Sequence, residues 1–349
     1  MKKVILILSA VAAIAACSKN EVISVSSNEN TEITFNVAPK TKAINDGDTR
    51  TDFSHDNVFV SYAYALNEDA TSWKNNYEDA QEFINGAVIS YVNGANVWKN
   101  ADKTYYWPKV GSLTFFAWSL NTPEDKLDAY KNAVGCSKEN GISANLDAVA
   151  KMNMDFMVAD IQTDKKSNSI TYEHNGVPTL FRHKLSYIVF NVRTDKDYSA
   201  SKTITVNSIK FLGVASKGSY SQLENGAVSE KMDASDPADQ TYTSASQVVT
   251  SEFQPITSVD QFLYIPQNFE NAGELEISYS VVTKKEYTNG SADFTENLVK
   301  KIPVNELFDS WAMGKRYTFK LTFSLDEILW DPAVEDWTDV AGGGIIIEQ

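Results

Sequence analysis

The sequence predicts an all-β protein made of two tandem β-sandwich domains with few short helices. Short runs of β-branched and aromatic residues recur along nearly the whole chain, separated by clusters of Gly, Asn, Asp and Pro. Helical periodicity is scarce by comparison. The roughly 330 residues that follow an N-terminal export segment are also too many for one ordinary sandwich of about 100 residues.

The chain opens with Lys2-Lys3, a largely apolar run from Val4 to Ala16, and Ile14-Ala15-Ala16-Cys17. This is the layout of a secretory signal peptide whose cleavage site is replaced by a lipobox, so residues 1–17 read as a lipoprotein signal ending in the lipidated Cys17. The apolar run is too short to span a bilayer core needing roughly 20 residues. Residues 18–31 are polar, Ser- and Asn-rich and aperiodic, and read as a flexible tether.

The first strand is expected at Glu32–Val37, whose period-two alternation places Ile33, Phe35 and Val37 on one face; Ala38-Pro39 ends it. A polar loop, Lys40 to Ser54, follows. Further strands are predicted at Val58–Tyr64, Leu113–Trp118, Phe156–Ala159, Leu185–Val192 and Ile204–Leu212. Later ones fall at Gln261–Ile265, Leu275–Thr283 and Arg316–Leu325. Helices are expected over Pro123–Val134, where Leu127, Tyr130 and Val134 recur at helical spacing, and more weakly over Asn76–Ile84. The polar, turn-rich stretch Asn168–Pro178 sets the seam, giving domains at 32–180 and 181–349.

The formal net charge of −15 argues against nucleic acid as a partner, because phosphate binding is driven by clustered Lys and Arg. With Cys17 assigned to the lipid, Cys136 stands alone in a segment, Ala133 to Asn140, that reads as loop, which leaves no internal disulfide framework. No GxSxG, P-loop, HExxH or CxxC occurs, and His55, His174 and His183 are widely spaced. Asp46 to Asp52 alternates carboxylates, but Arg50 breaks the calcium-loop pattern. The expectation is a non-enzymatic protein without cofactor, metal or catalytic residues.

Several stretches together resemble the fimbrillin-like family of Bacteroidales surface lipoproteins, the type V pilus subunits. They are the lipobox Cys17; Ile33-Thr34-Phe35 followed by Thr41-Lys42-Ala43; Tyr105-Tyr106-Trp107-Pro108 leading into Leu113–Trp118; and Asp155–Ala159. Leu180–Ser186, Lys217-Gly218-Ser219-Tyr220, Trp311, Gly314–Tyr317 and Asp336-Trp337 complete the set. The order and spacing carry the likeness, and each piece also reads as ordinary structure. Tyr105, Trp107, Phe115, Phe116 and Trp118 fit a sandwich core. Phe181–Ser186 fits the start of the second domain's first strand.

The resemblance implies transthyretin-like sandwiches and a fimbrium subunit or tip adhesin. Such a subunit is exported as an outer-membrane lipoprotein, clipped after its first strand, and polymerised when a segment of another subunit fills the vacated groove. On that reading Ile33, Phe35 and Val37 belong to the displaced strand. Arg50, the only arginine before Arg182, is the preferred cleavage site and Lys42 the second, set against an ordinary surface loop. Gly342-Gly343-Gly344 precedes Ile345-Ile346-Ile347, which reads either as a glycine-hinged donor strand or as a completion of its own sheet. The expected partners are other pilin subunits, a surface receptor or glycan, and the outer membrane through the lipid before processing. The alternatives are a pilus anchor that keeps its lipid, or a monomeric lipoprotein binding glycan through exposed rings such as Trp73 or Trp98.

Overall fold

The computed structural model describes residues 27–37, 53–70, 72–147, 154–167, 176–243, 245–256, 262–269, 273–287, 292–325 and 328–336. In chain order the first strands are β1 (Ser27–Glu32), β2 (Phe35–Val37), β3 (Phe59–Leu66), β4 (Gln81–Val92), β5 (Val97–Lys99), β6 (Tyr106–Pro108) and β7 (Ser112–Ser119). Next come β8 (Val134–Ser137), β9 (Gly141–Asn145), β10 (Met157–Ala159), β11 (Gln162–Lys165), β12 (Val177–Thr179), β13 (Phe181–His183) and β14 (Ser186–Thr194). The long pair β15 (Lys202–Glu224) and β16 (Ala227–Thr243) is followed by β17 (Gln247–Val248), β18 (Gln254–Ile256), β19 (Leu263–Tyr264) and β20 (Gln267–Asn268). The last are β21 (Glu274–Thr283), β22 (Phe294–Pro303), β23 (Ser310–Trp311), β24 (Lys315–Phe323) and β25 (Ile328–Asp336).

The first large sheet runs β12-β2-β5-β4-β3-β7-β10-β13, with β11 also on β7. Both faces of its centre are buried. Along β3 and β7 alternate residues divide: Phe59, Ala63, Leu113 and Phe115 enter one core, and Val60, Tyr64, Phe116 and Trp118 the other. A register shift opposite Gly86, whose φ is +67°, bends β4, as bulges do. One part of β4 then pairs with β3 and its end with β5. The sheet therefore curls until β2 lies over β3 and β7, with the Phe35 ring edge-on to Phe59 at 5.4 Å and to Phe115 at 5.9 Å.

The second sandwich places β18-β14-β24-β25, with β19 on β14, against β22-β21-β15-β9-β8, to which β16 and β17 also pair through β15. Its core holds Ile188, Phe190, Phe211, Leu275, Ile277, Phe319 and Leu321. Strands β14 and β24 are parallel neighbours, and Phe190 stacks on Phe319 at 4.6 Å where they sit in register.

The two sandwiches share a hairpin. β15 pairs with β21 over Lys202–Leu212 and then with β9 over Ser219–Ser221, so it passes from one sandwich to the other. Asn225-Gly226, with φ values of +50° and +74°, closes it onto β16, as Asn-Gly does in two-residue hairpins. Its tip, with Tyr220 and Leu223, joins Val134 and Ile142 of β8 and β9 to cover the second face of the first sheet.

The structure differs from the sequence expectations at several points. The residues expected to form a tether end in β1, which pairs with β6. The segment 123–134 forms two 3-10 turns, Glu124–Lys126 and Asp128–Tyr130, before Val134 enters β8. Leu127 and Tyr130 are buried anchors there, so tertiary packing decides the local path. In the segment 76–84, a four-residue helix, Trp73–Asn76, and one 3-10 turn give way to β4 at Gln81. Cys136 lies in β8 and not in a loop. Phe181–His183 pairs with β10 in the first sheet, while the second sandwich starts at Ser186.

Candidate functional site: the first strand and its slot

Among the described residues strand β2 carries few pairings of its own. It meets β12 in parallel over Val177–Thr179 and touches β5 through a single bridge, Phe35 to Trp98. Two flanking main-chain bonds add to this: Ile33 N–H donates to Tyr105 O at 2.8 Å, and Val177 N–H donates to Thr34 O at 2.7 Å. At the segment's start, Lys99 Nζ donates to both carboxylate oxygens of Glu32, at 3.0 and 3.3 Å.

The alternation Ile33-Thr34-Phe35 puts two apolar side chains inward. Ile33 and Phe35 are each 3% exposed, and Val37 is half-buried at the rim. They enter a slot walled by Phe59, Trp98, Trp107, Phe115 and Val177. Burying an Ile and a Phe contributes roughly 1.5–3 kcal/mol each, so these two side chains supply much of what holds the segment. Phe53, where the chain resumes, stacks on Phe181 at 5.2 Å and packs edge-on to Trp98 at 5.4 Å, roofing the slot beside β2.

A glycine makes the parallel neighbour possible. Gly176 has φ +141°, and a Cβ built on it would lie 2.7 Å from the Phe35 carbonyl carbon, so only glycine lets the chain cross β2 this closely.

Of the other residues singled out from sequence, Cys17, Lys42, Arg50, His174, Trp337 and Ile345–Ile347 lie outside the described residues. Trp73 and Trp98 are buried, 3% and 5% exposed, so neither offers a ring to a sugar. Trp73 instead donates its Nε1 hydrogen to Gly226 O at 3.0 Å. Trp107, Phe115, Phe116 and Trp118 are core residues, and Tyr105 is partly buried against the slot.

His55 stacks on Tyr91 at 3.4 Å, and His183 Nδ1 lies 2.8 Å from Asp155 Oδ1. Burial pushes the Cys136 thiol up from its ordinary range, which keeps it protonated and a poor nucleophile. Among the described residues no group of three or more His, Cys, Asp and Glu is placed to hold a metal ion. An open cleft of about 730 Å³ lies where β9 meets β15, near Asn145, Asp147, Lys217 and Asp233. Lys217 there is already paired with Asp236 at 2.6 Å.

The strand expected at Glu32–Val37 is found in part, with Glu32 ending β1 and Phe35–Val37 forming β2, but what surrounds it was not legible. Gly176 and the start of β12 fall within the stretch read only as a seam, and nothing in a three-residue strand distinguishes it from a turn. The signal available was Gly176 itself, a glycine next to Val-Pro-Thr.

Comparison with known proteins agrees with this architecture. Residues 41–337 match the family model described as fimbrillin-like. A fimbrial protein from Bacteroides vulgatus superposes with a TM-score of 0.64 at 16% identity, over 88% of this chain and 100% of its own. A cell adhesion protein, described as putative, from Bacteroides ovatus superposes with a TM-score of 0.50 at 15% identity, over 89% of this chain and 98% of its own. No curated protein matches the chain.

Proposed function

Since the chain belongs to the fimbrillin-like family, we propose that it is a structural subunit of a surface fimbrium, in the shaft or at the tip, that polymerises by β-strand addition after losing its first strand. The observation that carries this reading is the way the segment around β2 is held. Two apolar side chains fill a deep aromatic slot, while the main chain is tied by one short parallel pairing and a few single bonds. A segment seated in that way leaves an apolar slot and unpaired main-chain groups on both flanks when it departs, and these are what an incoming strand recognises.

In this proposal Cys17 carries the lipid that delivers the subunit to the outer membrane surface, and the chain is cut at Arg50, or failing that at Lys42. The piece bearing Cys17, Ile33, Phe35 and Val37 then leaves, and the lipid is absent from the finished fibre. Ile345, Ile346 and Ile347 of another subunit enter the slot as alternate side chains on an extended segment, hinged at Gly342–Gly344. The partners are other fimbrillin subunits, with a receptor or glycan bound at the fibre surface. The monomeric glycan-binding reading loses its proposed rings, because Trp73 and Trp98 are buried.

Incubating the precursor with trypsin or an arginine-specific protease tests the proposal. The expected result is a new N-terminus at Thr51 or Ala43, followed by ladders that resist mild denaturant. A discrete clip without ladders would overturn polymerisation by strand loss, and ladders persisting after deletion of Ile345–Gln349 would remove the tail from the mechanism.

A further inference from the structure

Among the described residues, strand β22 is the outer edge of the seven-stranded sheet and pairs on one side only, with β21, over its full length from Phe294 to Pro303. All but Ile302 of its ten residues are exposed. Phe294 is 55% exposed, Leu298 36% and Val299 62%, so the free edge is long and apolar at its middle. Edges of this kind are templates for pairing with another chain unless they are blocked by lysine, proline or a bulge. Here the register with β21 has no bulge, and Pro303 stands only at the end.

The lysines do not block the edge in the ordinary way. Lys301 is held by Glu274 at 3.4 Å and Glu276 at 3.5 Å, on the neighbouring strand. Lys300 and Glu296 are exposed and have no ion-pair partner among the described residues. They sit two residues either side of Leu298, on the same face of the sheet.

We infer that two copies of this protein join edge to edge through β22, antiparallel and symmetric about Leu298. Outward N–H and C=O groups alternate along a strand, so directly opposed residues of two identical antiparallel strands are separated by an even number of positions. Centring on Leu298 satisfies this and sets Glu296 opposite the second copy's Lys300, and Lys300 opposite its Glu296. Centring on Asn297 would oppose Glu296 with Leu298 and Lys300 with Phe294. Centring on Val299 would oppose Glu296 with Ile302 and Lys300 with Leu298. One register alone therefore pairs both charges and meets Leu298 with Leu298, and a two-fold interface is self-complementary in this manner. The joined sheets would run continuously through both copies. This lateral contact is separate from the slot of β2 and needs no cleavage.

Sedimentation of the full, uncut chain across a concentration series reads the association, so failure here leaves strand addition untouched. A reversible dimer is expected. Glu296→Lys alone and Lys300→Glu alone each weaken it on the order of ten-fold, because both symmetric pairs turn repulsive, and the double exchange restores it. In a Cys17→Ser background, Leu298→Cys cross-links two copies under mild oxidation, whereas Val299→Cys, facing Asn297, does not. A monomer at every concentration, a dimer indifferent to the single exchanges, or equal cross-linking at 298 and 299 would each overturn the inference.

Discussion

At the scale of single residues, several positions have their chemistry fixed by what crosses them. Gly176 has a φ of +141°, and a Cβ there would lie 2.7 Å from the Phe35 carbonyl carbon, so Gly176→Ala adds both strain and a clash. A loss of about 1–3 kcal/mol is expected, with the N-terminal segment protected less in hydrogen exchange than the rest of the sheet. Buried phenols set a second expectation. Burial raises Tyr64, Tyr220 and Tyr242 above their ordinary value of 10.0, and in Tyr220 the carboxylate of Glu230 at 2.8 Å adds to it. The folded state then prefers the neutral phenol, so its contribution is intact below about pH 10 and is lost as pH rises above it. Denaturant midpoints should stay level in this respect through neutral pH and fall above pH 10. Replacing Tyr64, Tyr220 or Tyr242 singly by Phe should remove a component of the tyrosinate absorbance rise that coincides with unfolding; a component lost from well before unfolding would show that phenol to be solvent-accessible.

At the scale of elements, β2 is a short strand held mainly by its side chains. Phe35→Ala removes a ring packed against Phe59 and Phe115 and should cost about 3–5 kcal/mol. Because the loss is local, it should appear as faster release of the N-terminal fragment after proteolysis, followed on a size-exclusion column, and Val37→Ala at the rim should do far less. The sequence made such alternating, half-buried strands legible: β3, β7, β14, β21 and β24 all follow the β-branched and aromatic runs that predict them. It hid the strands whose partners decide their state. β16 reads Ala-Val-Ser-Glu-Lys-Met-Asp-Ala-Ser-Asp-Pro, mostly exposed and turn-like, and is a strand because β15 runs beside it. The Asn225-Gly226 turn was the one local mark of that hairpin. β22 was hidden for the same reason, since a solvated edge carries no buried face to set a period. At the slot, Ile33 and Phe35 could be read from alternation, whereas the neighbours β12 and β5 could not, because three-residue strands have no pattern.

At the scale of the whole molecule, the hairpin of β15 and β16 makes the two sandwiches depend on one another. Its tip is stitched to the first sandwich by Trp73 Nε1 to Gly226 O, by Gln222 Nε2 to Ala159 O at 2.8 Å, and by the edge-on contact of Tyr220 with Phe156 at 5.6 Å. Lys184, buried at the crossing between β13 and β14, reaches Glu230 on β16 at 2.5 Å, and Glu230 also accepts from Tyr220. A buried lysine left without its carboxylate is costly, on the order of 3–5 kcal/mol, so this cluster couples the crossing segment to the hairpin. On the proposed function such a join would suit a subunit that passes tension along a fibre, because pulling on one sandwich would load the other through main chain and core together. Thermal unfolding of the intact chain should therefore be a single transition. Glu230→Ala combined with Trp73→Ala should separate it in two, since the second sandwich keeps its own core of Phe190, Phe211 and Phe319 while the first loses the layer that covers Phe116 and Trp118. Calorimetry decides this: two transitions in the intact chain would mean the hairpin does not couple the sandwiches, and one transition persisting in the double variant would place the coupling elsewhere.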